Sequence, residues 1–251
     1  MIRRMEEIRT IDALAIGSHP DDAEFGAGGT LLRLRSLGYT TGILDMTRGE
    51  MGTRGTAEQR ADEARAAARA LELTFRDTLD LGDGHVRDTD ASRVAMVRAI
   101  RRLRPKLLFC HHWEEPHPDH VATATIVRHA IYLSGLAKYD AESGLERHRP
   151  SAVAYYNFPR TVVPSFVVDV TPWIEQKRAA IRAHVSQLHD PTTTGPATAL
   201  SGEDFLDKLE SRSRYFGTLV GADFGEPFFV REALRADDPV RLLDRPMDLF
   251  Y

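Results

Sequence analysis

The chain has 251 residues, of which 42% are hydrophobic, a formal net charge of −4 and one cysteine, Cys110. A chain of this length can bury a substantial core, its scattered lysines and arginines form no basic patch for nucleic acid or an anionic membrane, and one cysteine excludes an intrachain disulfide framework. No apolar run reaches the length of a membrane span, and no signal-peptide pattern is present, so we expect a soluble, cytoplasmic protein.

Strand-like and helix-like patterns alternate along the chain. Short apolar runs predict strands, a 3.6-residue apolar period predicts helices, and Thr56, Asp90 and Thr171 are the expected helix caps. The predicted strands cover residues 13–17, 42–47, 78–81, 106–110, 153–156 and 166–170. The predicted helices cover residues 31–38, 56–73, 90–104, 119–133, 171–188 and 203–215, with loops at 48–55 and 190–202.

This alternation predicts an α/β, Rossmann-like three-layer fold in a single domain over residues 1–251. We expect a mostly parallel sheet in the strand order 3-2-1-4-5, with the last strands as C-terminal additions. In this order the chain reverses direction between strands 1 and 4, and a crevice opens beyond their carboxyl ends. The loops after these two strands are therefore where a ligand site is expected.

Two polar motifs follow these strands, His-Pro-Asp-Asp at 19–22 and His-Pro-Asp-His at 117–120. A single His-Pro-Asp is more often a turn with a capping aspartate, but two such motifs at the switch point are a more specific signal. His19, Asp22 and His120 offer two imidazoles and one carboxylate, a ligand set that leaves a metal ion open positions. The set suits catalytic Zn²⁺ and also non-haem Fe²⁺, and the ligands alone do not choose between them.

The same motifs contain candidates for proton transfer. Asp21 lies beside a ligand but points differently, so it can act as general base toward a water that Zn²⁺ acidifies to a pKa of about 7. His117, oriented by Asp119, is the candidate for stabilising the oxyanion or protonating the leaving amine. His111 and His112 are expected to pack at the strand end or to support the ligands. Together these roles describe amide hydrolysis.

Other polar residues are candidates for substrate contact. The loop at 48–55 carries Glu50 and Arg54, for which substrate contact and simple solvation are both reasonable, since arginine is suited to clamping a carboxylate. Tyr156 and Gln187 are weaker candidates, because such side chains more often pack than react. The loop at 190–202 is expected to close over the substrate.

Two alternatives from other functional classes remain open at this point. A nucleotide-binding module would use the glycine-rich turn at 26–30 together with Asp45, although Leu31 stands where a dinucleotide fingerprint has its third glycine. Close packing between strand and helix explains these glycines better. A metal-binding regulator without catalysis would keep the ligands and tolerate replacement of Asp21.

The motifs at 19–22 and 117–120 and the Thr-Arg-Gly-Glu-Met-Gly-Thr-Arg-Gly loop at 47–55 resemble the LmbE-like (PIG-L) zinc N-deacetylase family. The resemblance extends over nearly the whole chain through Ser-Gln at 186–187, Gly-Thr-Leu-Val-Gly at 217–221 and Glu226. The loop and the chain length are most similar to the branch that deacetylates N-acetylglucosaminyl-malate in bacillithiol biosynthesis. That branch tends to carry an arginine just before its second motif, where this sequence has Glu115 and Pro116.

The resemblance implies zinc on His19, Asp22 and His120. It also implies Asp21 as general base, and His117 either stabilising the intermediate or acting as acid. It further implies that Arg54 contacts the substrate and that the protein is a homo-oligomer, commonly a hexamer.

We therefore expect a zinc-dependent hydrolase that removes the acetyl group from an N-acetylglucosaminide. N-acetylglucosaminyl-malate is the best single candidate for the substrate. Another GlcNAc conjugate, such as the inositol-linked one, or a thiol S-conjugate is the alternative. No nucleic acid or membrane partner is expected.

Overall fold

The structure is a computed structural model, and it describes residues 10–192, 195–240 and 244. Its strands are β1 (Ala13–Gly17), β2 (Thr41–Asp45), β3 (Phe75–Thr78), β4 (Leu107–His111), β5 (Ala152–Tyr156), β6 (Phe166–Asp169) and β7 (Gly225–Phe228). Its helices are α1 (Asp22–Ser36), α2 (Ala57–Ala70), α3 (Asp90–Leu103), α4 (Pro118–Ser134), α5 (Ile174–Arg182) and α6 (Phe205–Thr218). Within the described residues, none of these helices has the length and apolar character needed to cross a bilayer.

Five strands form one parallel sheet in the order β3-β2-β1-β4-β5, which confirms the predicted order and the α/β fold. The central strands are buried on both faces, as expected when helices cover both sides of a parallel sheet. Helices α1, α2 and α5 pack together on one face, and α3 packs on α4 on the other. Successive residues of β1 point to opposite faces of the sheet. Leu14 belongs to the half of the core formed with α3 and α4, and Ala15 belongs to the half formed with α1 and α2.

The C-terminal additions form a second, smaller sheet in which β6 pairs with β7 in antiparallel fashion. The sequence predicts the first of these strands at 166–170. It does not predict β7, because β7 carries no alternating apolar pattern. Phe228 of β7 joins this sheet to the core, since its ring lies 4.9 Å from that of Phe109 and 5.3 Å from that of Phe166. Phe229 continues the connection through a backbone bridge to Tyr155.

Helix α1 begins earlier than the sequence predicts. Residues 26–30, predicted as a turn, lie inside the helix and are buried. A Cβ atom on Gly26 would stand 2.3 Å from the ring of Tyr156, and one on Gly29 would stand 2.7 Å from the Cβ of Val170. The glycines therefore allow the helix to approach the sheet closely, which confirms the packing explanation and leaves no open turn to cradle a nucleotide phosphate.

Three further boundaries differ from the predictions. β3 begins at Phe75 and ends where the predicted strand at 78–81 begins, because Asp80 adopts a left-handed conformation with φ 56° that ends the extended run. Thr89, rather than Asp90, is the N-cap of α3, where it forms a capping box with Ser92. The helix predicted to reach residue 188 ends at Arg182, and residues 183–188 instead form turns that approach the loop after β2.

Candidate active site

The switch point of the sheet brings the two polar motifs together. β1 ends at Gly17 and its neighbour β4 ends at His111, so the chain leaves both strands at the same edge. The first motif turns directly into α1, whereas the second reaches α4 through His117, whose side chain caps that helix. Residues about a hundred positions apart in sequence are thereby placed within hydrogen-bond distance.

Three ligand atoms form an equilateral triangle at this point. The Nδ1 atom of His19, the Oδ2 atom of Asp22 and the Nε2 atom of His120 are each 3.4 Å from the other two. Zn–N and Zn–O bonds of about 2.0–2.1 Å in a tetrahedron separate neighbouring ligand atoms by about 3.3–3.4 Å. The predicted ligand set therefore fits a tetrahedral divalent ion with one position open to solvent.

The second nitrogen of each imidazole meets a carboxylate. His19 Nε2 lies 3.0 Å from Asp83 Oδ1 and 3.4 Å from Asp119 Oδ2. His120 Nδ1 lies 2.9 Å from Glu115 Oε2. Such contacts orient metal-binding imidazoles and make them better donors. The sequence pattern does not predict these roles of Asp83 and Glu115, although both residues lie in loops beyond the carboxyl ends of sheet strands.

These carboxylates determine the protonation of the histidines when no cation is present. Burial alone would lower the pKa of His19, but Asp22 and Asp83 outweigh it and raise the pKa to about 11. Burial would also lower the pKa of His120, but Asp22 and Glu115 outweigh this effect and raise the pKa to about 9. The cluster attracts positive charge, and a divalent ion would displace these protons.

His111 supports the cluster from beneath. Its ring is fully buried, stacks on the ring of His120 at 3.8 Å between centroids, and places Nε2 3.1 Å from Asp22 Oδ2. Burial is the main cause that lowers its pKa. These contacts agree with the expectation that His111 supports a ligand.

Asp21 is held by an arginine that the sequence analysis did not select. Arg60 Nη2 lies 3.1 Å from Asp21 Oδ2 and donates to the carbonyl of Pro20 at 2.6 Å, while Nη1 donates to the carbonyl of Gly49 at 3.2 Å. Gly49 has φ +67°, and a Cβ there would meet Nη1 at 2.1 Å. The glycine-rich loop is thus shaped around this guanidinium.

The backbone and the charge of Asp21 are both unusual. Its φ of 123° lies where residues other than glycine are strained, a feature typical of functional sites. Burial raises the pKa of Asp21 to about 7, the charge of Asp22 adds to the rise, and Arg60 opposes it. A carboxyl group with this pKa is suited to taking up and returning a proton near neutral pH.

His117 is oriented by the backbone of Asp119, not by its carboxylate. The N–H of Asp119 donates to His117 Nδ1 at 3.2 Å, whereas the Asp119 carboxylate accepts from the N–H of Gly84 at 2.7 Å and faces His19. Because Nδ1 accepts this hydrogen bond, the proton of neutral His117 is on Nε2. Burial is the main cause that lowers the pKa of His117, and the charges of His120 and His19 lower it further, so the neutral form of the ring is favoured.

A cavity of about 2020 Å³ opens from this cluster, and Asp21, His117 and His120 line it. Gln187 lines it too, with its amide donating to the carbonyl of Arg54 at 2.7 Å. Its volume exceeds the roughly 300–1,000 Å³ of common small-molecule sites, so there is room for a sugar with a large substituent. Thr198, part of the loop at 190–202, is another lining residue, and residues 193 and 194 of that loop lie outside the described residues. Closure of that loop stays a prediction.

The structure does not bring the other predicted contact residues to this cavity. Tyr156 is 1% exposed, and its hydroxyl donates to the carbonyl of Ile16 at 2.6 Å. Glu50 accepts from the N–H of Asp83 at 2.9 Å and so holds the loop that carries Asp83. Arg54 Nη1 reaches the carbonyl of Leu188 at 3.4 Å. Contact of these three residues with a substrate stays a prediction.

Asp45 is equally unavailable to a nucleotide. It lies beneath the sheet edge, 1% exposed, with Oδ2 2.9 Å from Nε of Arg76. Together with the helical conformation of residues 26–30, this contact removes the geometric basis for a dinucleotide site. The fold and the His/Asp cluster instead define the class of protein, a Rossmann-like α/β protein with a candidate metal site at its switch point.

Comparisons with known proteins identify the family within that class. Residues 14–131 match the PIG-L family, described as GlcNAc-PI de-N-acetylase. Diacetylchitobiose deacetylase of Thermococcus kodakarensis is 33% identical over 226 residues, which cover 85% of this chain and 80% of the relative. This chain therefore belongs to the PIG-L family and is an N-deacetylase of the type that acts on N-acetylglucosaminides.

Solved structures agree with this assignment. The conserved protein TT1542 from Thermus thermophilus superposes with a TM-score of 0.80 at 36% identity, covering 90% of this chain and 97% of that one. The N,N'-diacetylchitobiose deacetylase from Pyrococcus horikoshii superposes with a TM-score of 0.75 at 27% identity, covering 87% and 83%. The fold and the activity class predicted from the sequence are thus confirmed.

Proposed function

We propose that this chain is a zinc-dependent deacetylase that hydrolyses the 2-acetamido group of an N-acetylglucosaminide with a polar aglycone. N-acetylglucosaminyl-malate is the first substrate to test. The observation that carries the proposal is the 3.4 Å triangle of His19 Nδ1, Asp22 Oδ2 and His120 Nε2. A bound Zn²⁺ would act there as a Lewis acid toward the amide carbonyl and would acidify a water molecule.

In this proposal Asp21 is the general base. It takes one proton from the attacking water as the new C–O bond forms, and the same proton then goes to the amine nitrogen as the C–N bond breaks. The products are acetate and the free glucosamine amine. Arg60 holds the Asp21 carboxylate toward the cavity and keeps it from rotating away.

His117 is then the donor to the oxyanion. Its Nε2–H is free to point into the cavity because Nδ1 already accepts the backbone bond from Asp119. Protonating Nδ1 would break that bond, so the geometry favours a neutral hydrogen-bond donor over an acid. Of the two roles left open by the sequence, oxyanion stabilisation is therefore the one we propose.

Diacetylchitobiose is the second candidate substrate. It is supported by the relative from Thermococcus kodakarensis, which carries that name at 33% identity. The two substrates differ in the group attached to the reacting sugar, so their comparison separates the candidates. The predicted homo-oligomer belongs to the same proposal, and light scattering of the purified protein tests it.

The test is a comparison of kcat/KM on N-acetylglucosaminyl-malate, diacetylchitobiose, N-acetylglucosaminyl-inositol, a thiol S-conjugate and free GlcNAc, with metal content measured on the same sample. We expect one zinc per chain and release of acetate from the conjugates at least about tenfold faster than from free GlcNAc. Stoichiometric zinc with no acetate released from any of these compounds would refute the proposal.

A further inference from the structure

The cavity extends beyond the His/Asp cluster. Its outer wall is built by the loop that follows β5 and by α6, and two arginines line it. Arg160 comes from the loop and Arg212 from the middle of α6; we refer to them as the outer arginine pair. The proposed hydrolysis of the acetamido group assigns no role to these two positive charges.

Arg212 is held in place by its neighbours. Its Nη1 lies 3.3 Å from Asn157 Oδ1, and its guanidinium carbon lies 5.7 Å from the centre of the Phe216 ring. The loop is fixed to the same helix, since the Phe158 ring meets the Phe216 ring at 6.3 Å. The position of Arg212 is therefore built into the packing of the loop on α6.

The ionic contacts of the outer arginine pair differ from those of the charged residues around it. Among the residues that the structure describes, no carboxylate forms an ion pair with Arg160 or Arg212. Asp204, on the same wall, pairs with Lys208 at 2.6 Å, and Arg214, two residues along α6, pairs with Glu210 at 2.9 Å. Arg212 thus differs from these charged residues on and next to α6, which do have partners.

The surroundings of Arg212 disfavour its positive charge. Burial lowers the pKa of Arg212, the positive charge of Arg160 lowers it further, and only the charge of Glu115 opposes this. Glu115 is already engaged by His120 Nδ1 and by the N–H of His117. An anion bound beside Arg212 would offset this cost.

We propose that the outer arginine pair binds an oxyanion, a carboxylate or a phosphate, carried by the aglycone of the N-acetylglucosaminide. A guanidinium group can bind two oxygens of a carboxylate or a phosphate with two parallel hydrogen bonds, which gives both affinity and orientation. The inference rests on the proposed function and assigns its substrate class: acidic conjugates are preferred over neutral ones.

The test uses two matched substrate pairs with the zinc-loaded enzyme. The carboxylate arm compares N-acetylglucosaminyl-malate with its diamide, and the phosphate arm compares N-acetylglucosaminyl-inositol phosphate with N-acetylglucosaminyl-inositol. We expect wild-type kcat/KM to favour the acidic member of at least one pair by about 10- to 100-fold, mainly through KM. The arm that shows the preference identifies the oxyanion.

Variants then assign the preference to the pair. Arg212→Gln and the exposed Arg160→Gln should each lower the acidic-to-neutral ratio of kcat/KM at least about fivefold, and Arg212→Lys should recover only part of it because the forked donor geometry is lost. Arg214→Gln removes the same charge from the same helix and should leave the ratio unchanged.

The outcomes separate this inference from the proposed function. Deacetylation of neutral conjugates with no acidic preference, or a preference that both glutamine variants retain, would overturn the anion subsite and leave the deacetylase assignment intact. An equal loss of ratio in Arg214→Gln would also overturn it, since the effect would then be one of net charge. An enzyme that deacetylates no conjugate refutes the proposed function itself.

Discussion

Two buried clusters of charged residues lie near the carboxyl-end edge of the parallel sheet. They differ in how their charges are balanced. The rear cluster consists of Glu24, Asp45, Arg76 and His184. Arg76 Nη1 lies 2.5 Å from Glu24 Oε1, Arg76 Nε lies 2.9 Å from Asp45 Oδ2, and His184 Nε2 lies 2.8 Å from Glu24 Oε1. Its carboxylates meet a permanent cation, and the cluster is closed to solvent.

Among the described residues, no lysine or arginine forms an ion pair with the switch-point cluster of His19, Asp22 and His120. Further carboxylates surround it, Asp83, Asp119 and Glu115 among them, and its open side faces the cavity. Arg60 balances Asp21 but does not reach the triangle. The switch-point cluster can offset its carboxylates either by protonating His19 and His120 or by binding a cation, whereas the carboxylates of the rear cluster already contact the permanent charge of Arg76.

Removing a corner of the triangle tests this difference most strongly. His120→Ala should abolish stoichiometric zinc and lower kcat/KM about 10⁴-fold or more, because both the ligand and the Lewis acid are lost. His129→Ala, on the same helix but paired with Asp88 at the surface, is the matched control. Retention of one zinc per chain by His120→Ala would contradict the ligand assignment.

Asp21→Asn should separate metal binding from catalysis. We expect zinc to remain bound while kcat falls about 10²- to 10⁴-fold, the range for loss of a general base. Metal analysis and steady-state kinetics on the same sample measure both quantities, with Asp80→Asn as a surface control. Full activity in Asp21→Asn would show that Asp21 is not the general base.

A buried pair remote from the triangle should affect stability and not the metal. Lys177 Nζ lies 2.6 Å from Glu226 Oε1 in the interior behind α1. Lys177→Met leaves Glu226 without its cation and should lower the free energy of unfolding by about 3–5 kcal/mol in urea titrations. Zinc stoichiometry should stay at wild-type level, and the exposed Lys106→Met should cause a much smaller change. Loss of zinc in Lys177→Met would show that the two kinds of cluster are not independent.

The smallest effect is expected for the carboxylate behind His120. Glu115→Gln keeps the size of the side chain but weakens its hold on His120 Nδ1, and it should reduce zinc affinity about 10- to 100-fold. Competition with a chelator measures the affinity, and Glu114→Gln is the neighbouring control. An affinity equal to wild type would mean that Glu115 does not orient the ligand.

The sequence by itself determined the sheet order and the position of the site. Apolar strand runs, cap residues and the alternation of the two periods are local signals, and right-handed crossovers restrict how they assemble. The two His-Pro-Asp motifs could be placed together because parallel strands that are neighbours end at the same edge. His19 and His120 are therefore adjacent in the structure, as predicted.

Only the tertiary structure decided which partners complete the site. Arg60 and Asp83 reach it from α2 and from the loop after β3, and no local pattern distinguishes them from surface charges. Tyr156 packs its ring against Gly26 of α1 and donates its hydroxyl to the carbonyl of Ile16, so neither an open turn nor a free hydroxyl is left. Side-chain direction depends on long-range packing, whereas strand order depends on signals that each segment carries itself.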